Sequence, residues 1–175
     1  MFPIGHAALG YLAVALLHRV RGLSLPNGWL LVSVFVGSQL PDLIDKPLTY
    51  YGVLESGRSF GHSLLVMVPA LVVLVFVARR RGYARHGGAL AVATLSHFLG
   101  DTYRIALAGE WYEMRFLLWP LVPAITYPSD GTPPWIRVLD SLGDPRFGFQ
   151  YGLAALAFGI WLYDRYGGRT RIEPE

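Results

Sequence analysis

One stretch constrains this chain more than any other: FGHSLLVMVPALVVLVFVA, residues 60–78. Its length is close to the ~20 apolar residues that cross a bilayer. It stops at Arg79, Arg80 and Arg81, the kind of basic cluster that marks a cytoplasmic span end. Composition agrees, with 53% hydrophobic and 15% charged residues among 175, where a soluble domain carries about a quarter charged. The predicted fold is therefore all-α, a polytopic transmembrane helical bundle of about five membrane segments in a single integral membrane domain, residues 1–175.

The other four segments are 2–18, 28–40, 87–108 and 151–163, the last extended upstream through Phe147 to Gln150. Segments 2–18 and 28–40 are short and span only if tilted or packed against neighbours. The start does not read as a cleaved signal peptide, because His6 interrupts it and no basic stretch precedes the apolar run. There is no cysteine, so disulfides, thiolate metal sites and lipid anchors on cysteine are excluded. The net charge of +3 comes from clusters beside apolar segments and forms no stripe, so nucleic acid is not an expected partner.

Charge placement orients the chain. With the N-terminus outside, the inside loops hold Arg19, Arg21, Arg79, Arg80, Arg81, Arg85, Arg165, Arg169 and Arg171, nine of the fifteen basic residues. Their acids are Asp164, Glu173 and Glu175 alone. Lys46, Arg58, Arg104, Arg115, Arg137 and Arg146 fall outside with the remaining acids. The positive-inside rule favours this orientation. Residues 109–147 are rich in Pro, Gly, Trp and Tyr, and Pro120 and Pro123 oppose a spanning helix there. Trp111, Tyr112, Trp119 and Trp135 suit headgroup depth, so the stretch reads as an outer interfacial loop with short helical pieces.

The polar residues of the apolar segments then fall into place. His6 lies near the start of the first segment, and LPDLID puts Asp42 and Asp45 at the end of the second. RSFGHS puts Arg58 and His62 at the start of the third. LSHFLGD sets His97 and Asp101 one helical turn apart on one face of the fourth. In the expected topology all of them lie on the outer, non-cytoplasmic side. Basic residues set the orientation and ligand types set the placement, independently. Imidazole and carboxylate suit a divalent metal such as zinc, manganese or iron. Three histidines and two or three aspartates exceed one four-coordinate ion, so one or two ions are expected. Ionisable groups inside a membrane are costly and face a protein interior or a wet cavity.

Each residue alone also has a plainer reading. His97 with Asp101 could be a hydrogen-bonded pair, His62 an interfacial histidine, Pro41-Asp42 a helix end, Asp45 a cap and Arg58 a headgroup anchor or phosphate ligand. His18 and His86 lie among the inside arginines and have no functional reading.

Gly5-His6, LPDLID at 40–45, RSFGHSLL at 58–65, SHFLGD at 96–101 and LLWP at 117–120 occur in an order and spacing that resemble the membrane-bound metal-dependent hydrolase family, also described as LexA-binding, inner-membrane-associated hydrolases. The matching elements cover roughly the first two thirds of the chain. That family is distantly similar to zinc-dependent phospholipases C and fungal zinc single-strand nucleases, helical phosphodiesterases with clustered zinc. The resemblance implies metal ligands at His6, Asp42, His62, His97 and Asp101, and phosphoester hydrolysis. Departures bear on that implication. Many relatives have Pro-Asp-x-Asp-His where this chain has Pro-Asp-Leu-Ile-Asp-Lys, which sets Lys46 where a histidine would stand. Gly57 precedes Arg58 where relatives carry a histidine, Gly61 replaces a threonine, and Thr102-Tyr103-Arg104-Ile105 replaces Thr-Pro-x-Gly.

The expected function is a membrane-embedded metal-dependent hydrolase of the cell's inner membrane, acting at the outer face on a phosphoester of a lipid or lipid-linked substrate. Zinc is the first-choice ion, with Asp45 as general base and Arg58 stabilising developing negative charge. Membrane lipids are the expected partners. The alternative is a non-enzymatic transport or assembly component in which the same residues form a structural polar or metal site. A regulatory role follows from the LexA label, but the inside loops are short and their basic charge is already explained by orientation.

Overall fold

The structure, a computed structural model, describes residues 1–128, 130–142 and 148–167. Every regular element among them is helical: α1 (Pro3–Val20), α2 (Gly28–Tyr50), α3 (Leu64–Arg80), α4 (Ala84–Ala108), a 3-10 helix (Trp111–Leu118), α5 (Pro134–Leu142), α6 (Gly148–Leu162) and a final π turn (Tyr163–Gly167). Local chemistry sets several boundaries. Pro3 opens α1, where a missing N–H costs nothing. The Ser63 hydroxyl caps α3 by accepting from the Val66 amide. Gly109 closes α4 at φ 72°, a left-handed conformation that glycine adopts without strain.

Helix α4 is the centre, packing on α1, α2 and α3, while α6 lies along α1. The α2–α4 approach is backbone to backbone. A Cβ at Gly37 would collide with the Leu90 carbonyl, so only glycine permits it. Pro41 sits inside α2 and offers no N–H to the Gly37 carbonyl one turn back. The Thr94 hydroxyl of α4 donates to that carbonyl instead, at 3.0 Å. A break in one helix is thus filled from its neighbour.

The two ends of the bundle differ. One end buries Val14, Val34, Ala89 and Ala93 in a dry cluster, and His18, Arg21, Arg79 and Arg85 line a cavity beyond it. The other end buries His6, Asp42, Asp45, His62, His97 and Asp101. Large apolar side chains remain exposed outside, including Phe35, Val72, Val73, Phe76, Leu99 and Phe158.

The all-α fold is as expected, but among the described residues no helix is long and apolar enough to cross a membrane, so the five expected spans are not seen. The reason is that length and apolarity do not coincide. Helix α3 is strongly apolar but runs for 17 residues, because its chain turns helical only at Leu64. Helix α6 has 15 residues. Helices α2 and α4 reach 23 and 25 residues, but Gln39, Asp42 and Asp45 interrupt one and His97 and Asp101 the other. Helix α1 has 18 residues and carries His6, His18 and Arg19. Arg146, Phe147, Arg169, Arg171, Glu173 and Glu175, used above for topology, lie outside the described residues.

Candidate metal centre

Four elements bring the polar residues together. Helix α1 carries His6, α2 carries Asp42 and Asp45, the 51–63 connection carries Arg58 and His62, and α4 carries His97 and Asp101. The ring nitrogens His62 Nε2 and His97 Nε2 face each other at 3.2 Å. Asp42 Oδ1 lies 3.4 Å from the first and 3.9 Å from the second. Asp101 Oδ2 lies 3.5 Å and 3.9 Å from the same two atoms. Neighbouring ligands on a tetrahedral zinc ion stand roughly 3.3 Å apart, given metal–ligand bonds near 2.0–2.1 Å. The ligand atoms form two overlapping triads that could hold an ion, His62–His97–Asp101 and His6–Asp42–His97.

Hydrogen bonds behind the rings fix which nitrogen faces inward. His97 Nδ1 lies 2.7 Å from the Ser38 carbonyl, which only accepts, so this nitrogen carries the hydrogen. That leaves a lone pair on Nε2. His62 Nδ1 meets Asp45 Oδ2 at 2.8 Å, so this nitrogen also carries its hydrogen. With both rings neutral, two lone pairs and two carboxylates aim at one buried region, a donor set that suits a cation. Histidines oriented from behind by a carbonyl or carboxylate are the usual supports of a metal centre.

Asp45 is fully buried, and its oxygens accept from the amides of Ser59 at 2.8 Å, Gly61 at 2.6 Å and His62 at 3.1 Å as well as from the His62 ring. The connection wraps round this carboxylate. A Cβ at Gly61 would meet the Pro41 carbonyl at 2.8 Å and Asp45 Oδ1 at 3.1 Å, which explains the glycine there. The general base expected at Asp45 thus sits behind a ligand, with its hydrogen-bonding capacity in use.

His6 stands slightly apart. Its ring stacks on His97 with centroids 3.7 Å apart. Nε2 approaches Asp101 Oδ1 at 3.2 Å, yet neither ring nitrogen of this fully buried side chain completes a hydrogen bond. The Met1 amino group also reaches Asp101 Oδ1, at 2.5 Å. Arg58 Nε donates to Asp101 Oδ2 at 3.1 Å, and its guanidinium lies near the Phe116 and Tyr127 rings. Burial works against the Arg58 charge, but the Asp101 carboxylate outweighs it and raises the pKa. Burial, together with a hydrogen bond donated to Glu113, raises the Tyr127 hydroxyl. Phe116 is buried against the His62 ring, and the Ser63 and Ser56 hydroxyls tie this connection to the Trp119 and Ile125 carbonyls.

All seven expected residues are brought into one cluster. Sequence reasoning gave Lys46 no role beyond a departure from a pattern, whereas its Nζ lies 2.6 Å from Asp42 Oδ2; the i,i+4 spacing was the available signal. It missed the Ser38 carbonyl, Phe116 and Tyr127, which nothing in the sequence marks. The fold and site define an all-helical protein with a buried histidine–aspartate centre able to hold a cation. The chain belongs to the family described as YdjM inner membrane protein, which matches it over residues 1–166. No curated protein and no solved structure matches it. The family description places the protein at a membrane and names no reaction.

Proposed function

We propose that this protein is a membrane-embedded metal-dependent hydrolase that acts on a phosphoester of a lipid or lipid-linked substrate at the non-cytoplasmic face. The observation that carries the proposal is the convergence of two oriented imidazole lone pairs and two carboxylates on one buried region. His62, His97, Asp42 and Asp101 would hold a divalent ion, zinc being the best match to this donor set. His6, whose ring nitrogens complete no hydrogen bond among the described residues, is the fifth ligand or half of a second position. When bound, such an ion supplies Lewis acidity and an acidified water at near-neutral pH.

The chain's own residues then divide the remaining work. Asp45 and the Ser38 carbonyl hold the two imidazoles in the ligating tautomer. Arg58, tethered to Asp101 but with a side chain 30% exposed, stabilises negative charge on the group being cleaved. Exposed apolar side chains on α3, α2 and α6 face lipid, and the ends bearing Arg79 and Arg85 lie in the cytoplasm by the positive-inside rule. Trp111, Tyr112 and Trp135, all exposed, sit at headgroup depth, which brings a lipid phosphoester to the site.

A second reading keeps the same geometry without chemistry. A proton on His62 would also supply the missing positive charge, since its Nε2 is within hydrogen-bonding distance of His97 Nε2. The cluster would then be a structural polar network in a transport or assembly component. Elemental analysis of purified protein, wild type beside Asp42→Ala, decides between them. The hydrolase reading requires at least one equivalent of metal in the wild type and its loss in the variant. A metal-free wild type that melts at the same temperature with and without added zinc supports the structural network.

A further inference from the structure

The geometry points to Lys46 as an anion-binding residue of this centre, one that grips a phosphate oxygen of the substrate; the inference rests on the hydrolase reading above. Lys46 lies on α2 one turn beyond Asp42, and its ammonium donates to Asp42 Oδ2 at 2.6 Å. The other oxygen of that carboxylate, Oδ1, faces His62 and His97. Lys46 therefore touches the outer side of a ligand whose inner side belongs to the centre.

An ammonium has three N–H donors. The bond to Asp42 is the one hydrogen bond the Lys46 side chain makes among the described residues, so two donors remain. The Lys46 side chain is 21% exposed, against 10% for Asp42 and none for His62 and His97. On the Asp42 side of the cluster, Lys46 is the more exposed partner of the pair. Arg58 is the cation on the Asp101 side, bonded to Oδ2, the oxygen that also faces His62 and His97. Two partly exposed cations, tethered to two different ligand carboxylates, suit a tetrahedral oxyanion with several oxygens. A neutral ester or amide would use neither well.

The tether also makes Lys46 responsive. A cation among the ligand atoms draws on the Asp42 charge and weakens that carboxylate's hold on the ammonium. The freed donors can then turn to an anion that arrives after the metal. This sets Lys46 apart from a surface i,i+4 ion pair, which would have no effect on anion binding.

The test is calorimetric titration of inorganic phosphate into the full chain in detergent, loaded with zinc, for wild type, Lys46→Met and Lys46→Arg. Zinc stoichiometry is measured on the same samples. The wild type is expected to hold zinc and bind phosphate. Lys46→Met is expected to hold zinc and bind phosphate at least about tenfold more weakly, the effect of losing one charge-assisted hydrogen bond. Lys46→Arg is expected to restore most of the affinity. Unchanged phosphate binding by Lys46→Met overturns the inference. So does loss of zinc from that variant, which would make Lys46 a support for Asp42 alone. A wild type that holds zinc but not phosphate overturns the anion site and leaves the metal centre standing, whereas a zinc-free wild type overturns both. Short-chain phosphatidic acid added to the phosphate complex identifies the source of the anion. Displacement assigns the site to a lipid headgroup and its absence to free phosphate, and both results uphold anion binding.

Discussion

Helices α1 and α4 each carry one histidine toward either end of the bundle, and the two ends use the same ring differently. At the basic end, His18 Nδ1 meets the Ser24 carbonyl at 2.7 Å and His86 Nδ1 meets the Ser33 hydroxyl at 3.0 Å. Each has one neutral partner, and among the described residues neither forms an ion pair with a carboxylate. At the other end, His97 is likewise anchored through Nδ1, but its second nitrogen faces another histidine and lies within 3.9 Å of two aspartates. His6, on the same helix as His18, has no hydrogen bond at either nitrogen. A histidine in an apolar helix is therefore uninformative alone. Carboxylates facing its second nitrogen are what make a packing residue a candidate ligand.

The sharpest way to break this contrast is to remove one histidine from each end. His97→Ala is expected to lower metal affinity by at least about 100-fold, beyond the effect typical of losing an outer support. His18→Ala should leave affinity unchanged. Zinc titration against a competing chelator measures both. Chelation offers a second readout, because a ligand that binds only the folded state raises its stability. Wild type and His18→Ala should lose melting temperature on metal removal, while His97→Ala should not respond. Equal responses from the two variants would end the distinction between the ends.

Asp45→Asn probes the next layer. The side chain keeps its size but presents an amide where the His62 ring and three backbone amides now meet a carboxylate. Metal affinity is expected to fall about 10- to 100-fold, as for other supports behind a metal-bound histidine. If affinity holds and only turnover of a phosphoester falls, Asp45 is a general base after all and the positioning role is wrong.

These variants also show how far the sequence could be read. The convergence of His62, His97, Asp42 and Asp101 was legible, because i,i+4 spacing and their place near segment ends follow from helical periodicity alone. Asp45 was found, but its hydrogen-bonded setting was not. Its role depends on three amides of the 51–63 connection folding back over it, and irregular backbone has no periodicity to read. Helix ends were harder still. Hydropathy ran the third segment from 60, but the chain turns helical only at Leu64, after the Ser63 cap. The apolar residues before it belong to the wrap round Asp45. Lys46 was visible as a departure from a pattern, and only the 2.6 Å contact with Asp42 gave it a place.

A smaller effect is expected midway between the ends. Thr94→Val keeps the shape of the side chain and removes the donor that fills the gap left by Pro41. The Gly37 carbonyl would then be buried without that partner, at a cost of about 1–3 kcal/mol in stability. Thermal or denaturant melts measure the loss. Metal affinity should change little, since the Ser38 carbonyl that orients His97 is a separate group. A large loss of metal binding would show that the break in α2 and the centre behave as one unit.

The smallest change belongs to the basic end itself. His86→Ala removes one hydrogen bond to the Ser33 hydroxyl and an edge contact with the Tyr83 ring. Ser33 keeps a second partner, the Trp29 carbonyl at 3.3 Å, so no buried polar group is stranded. The expected cost is about 0.5–1.5 kcal/mol, the net worth of one ordinary hydrogen bond, read as a modest shift in melting temperature. Zinc stoichiometry and affinity should equal those of the wild type. A tenfold loss of zinc affinity in His86→Ala would place a second cation among Ser33, His86 and their neighbours. The contrast between the ends would then become one between two metal positions, one with carboxylates and one without.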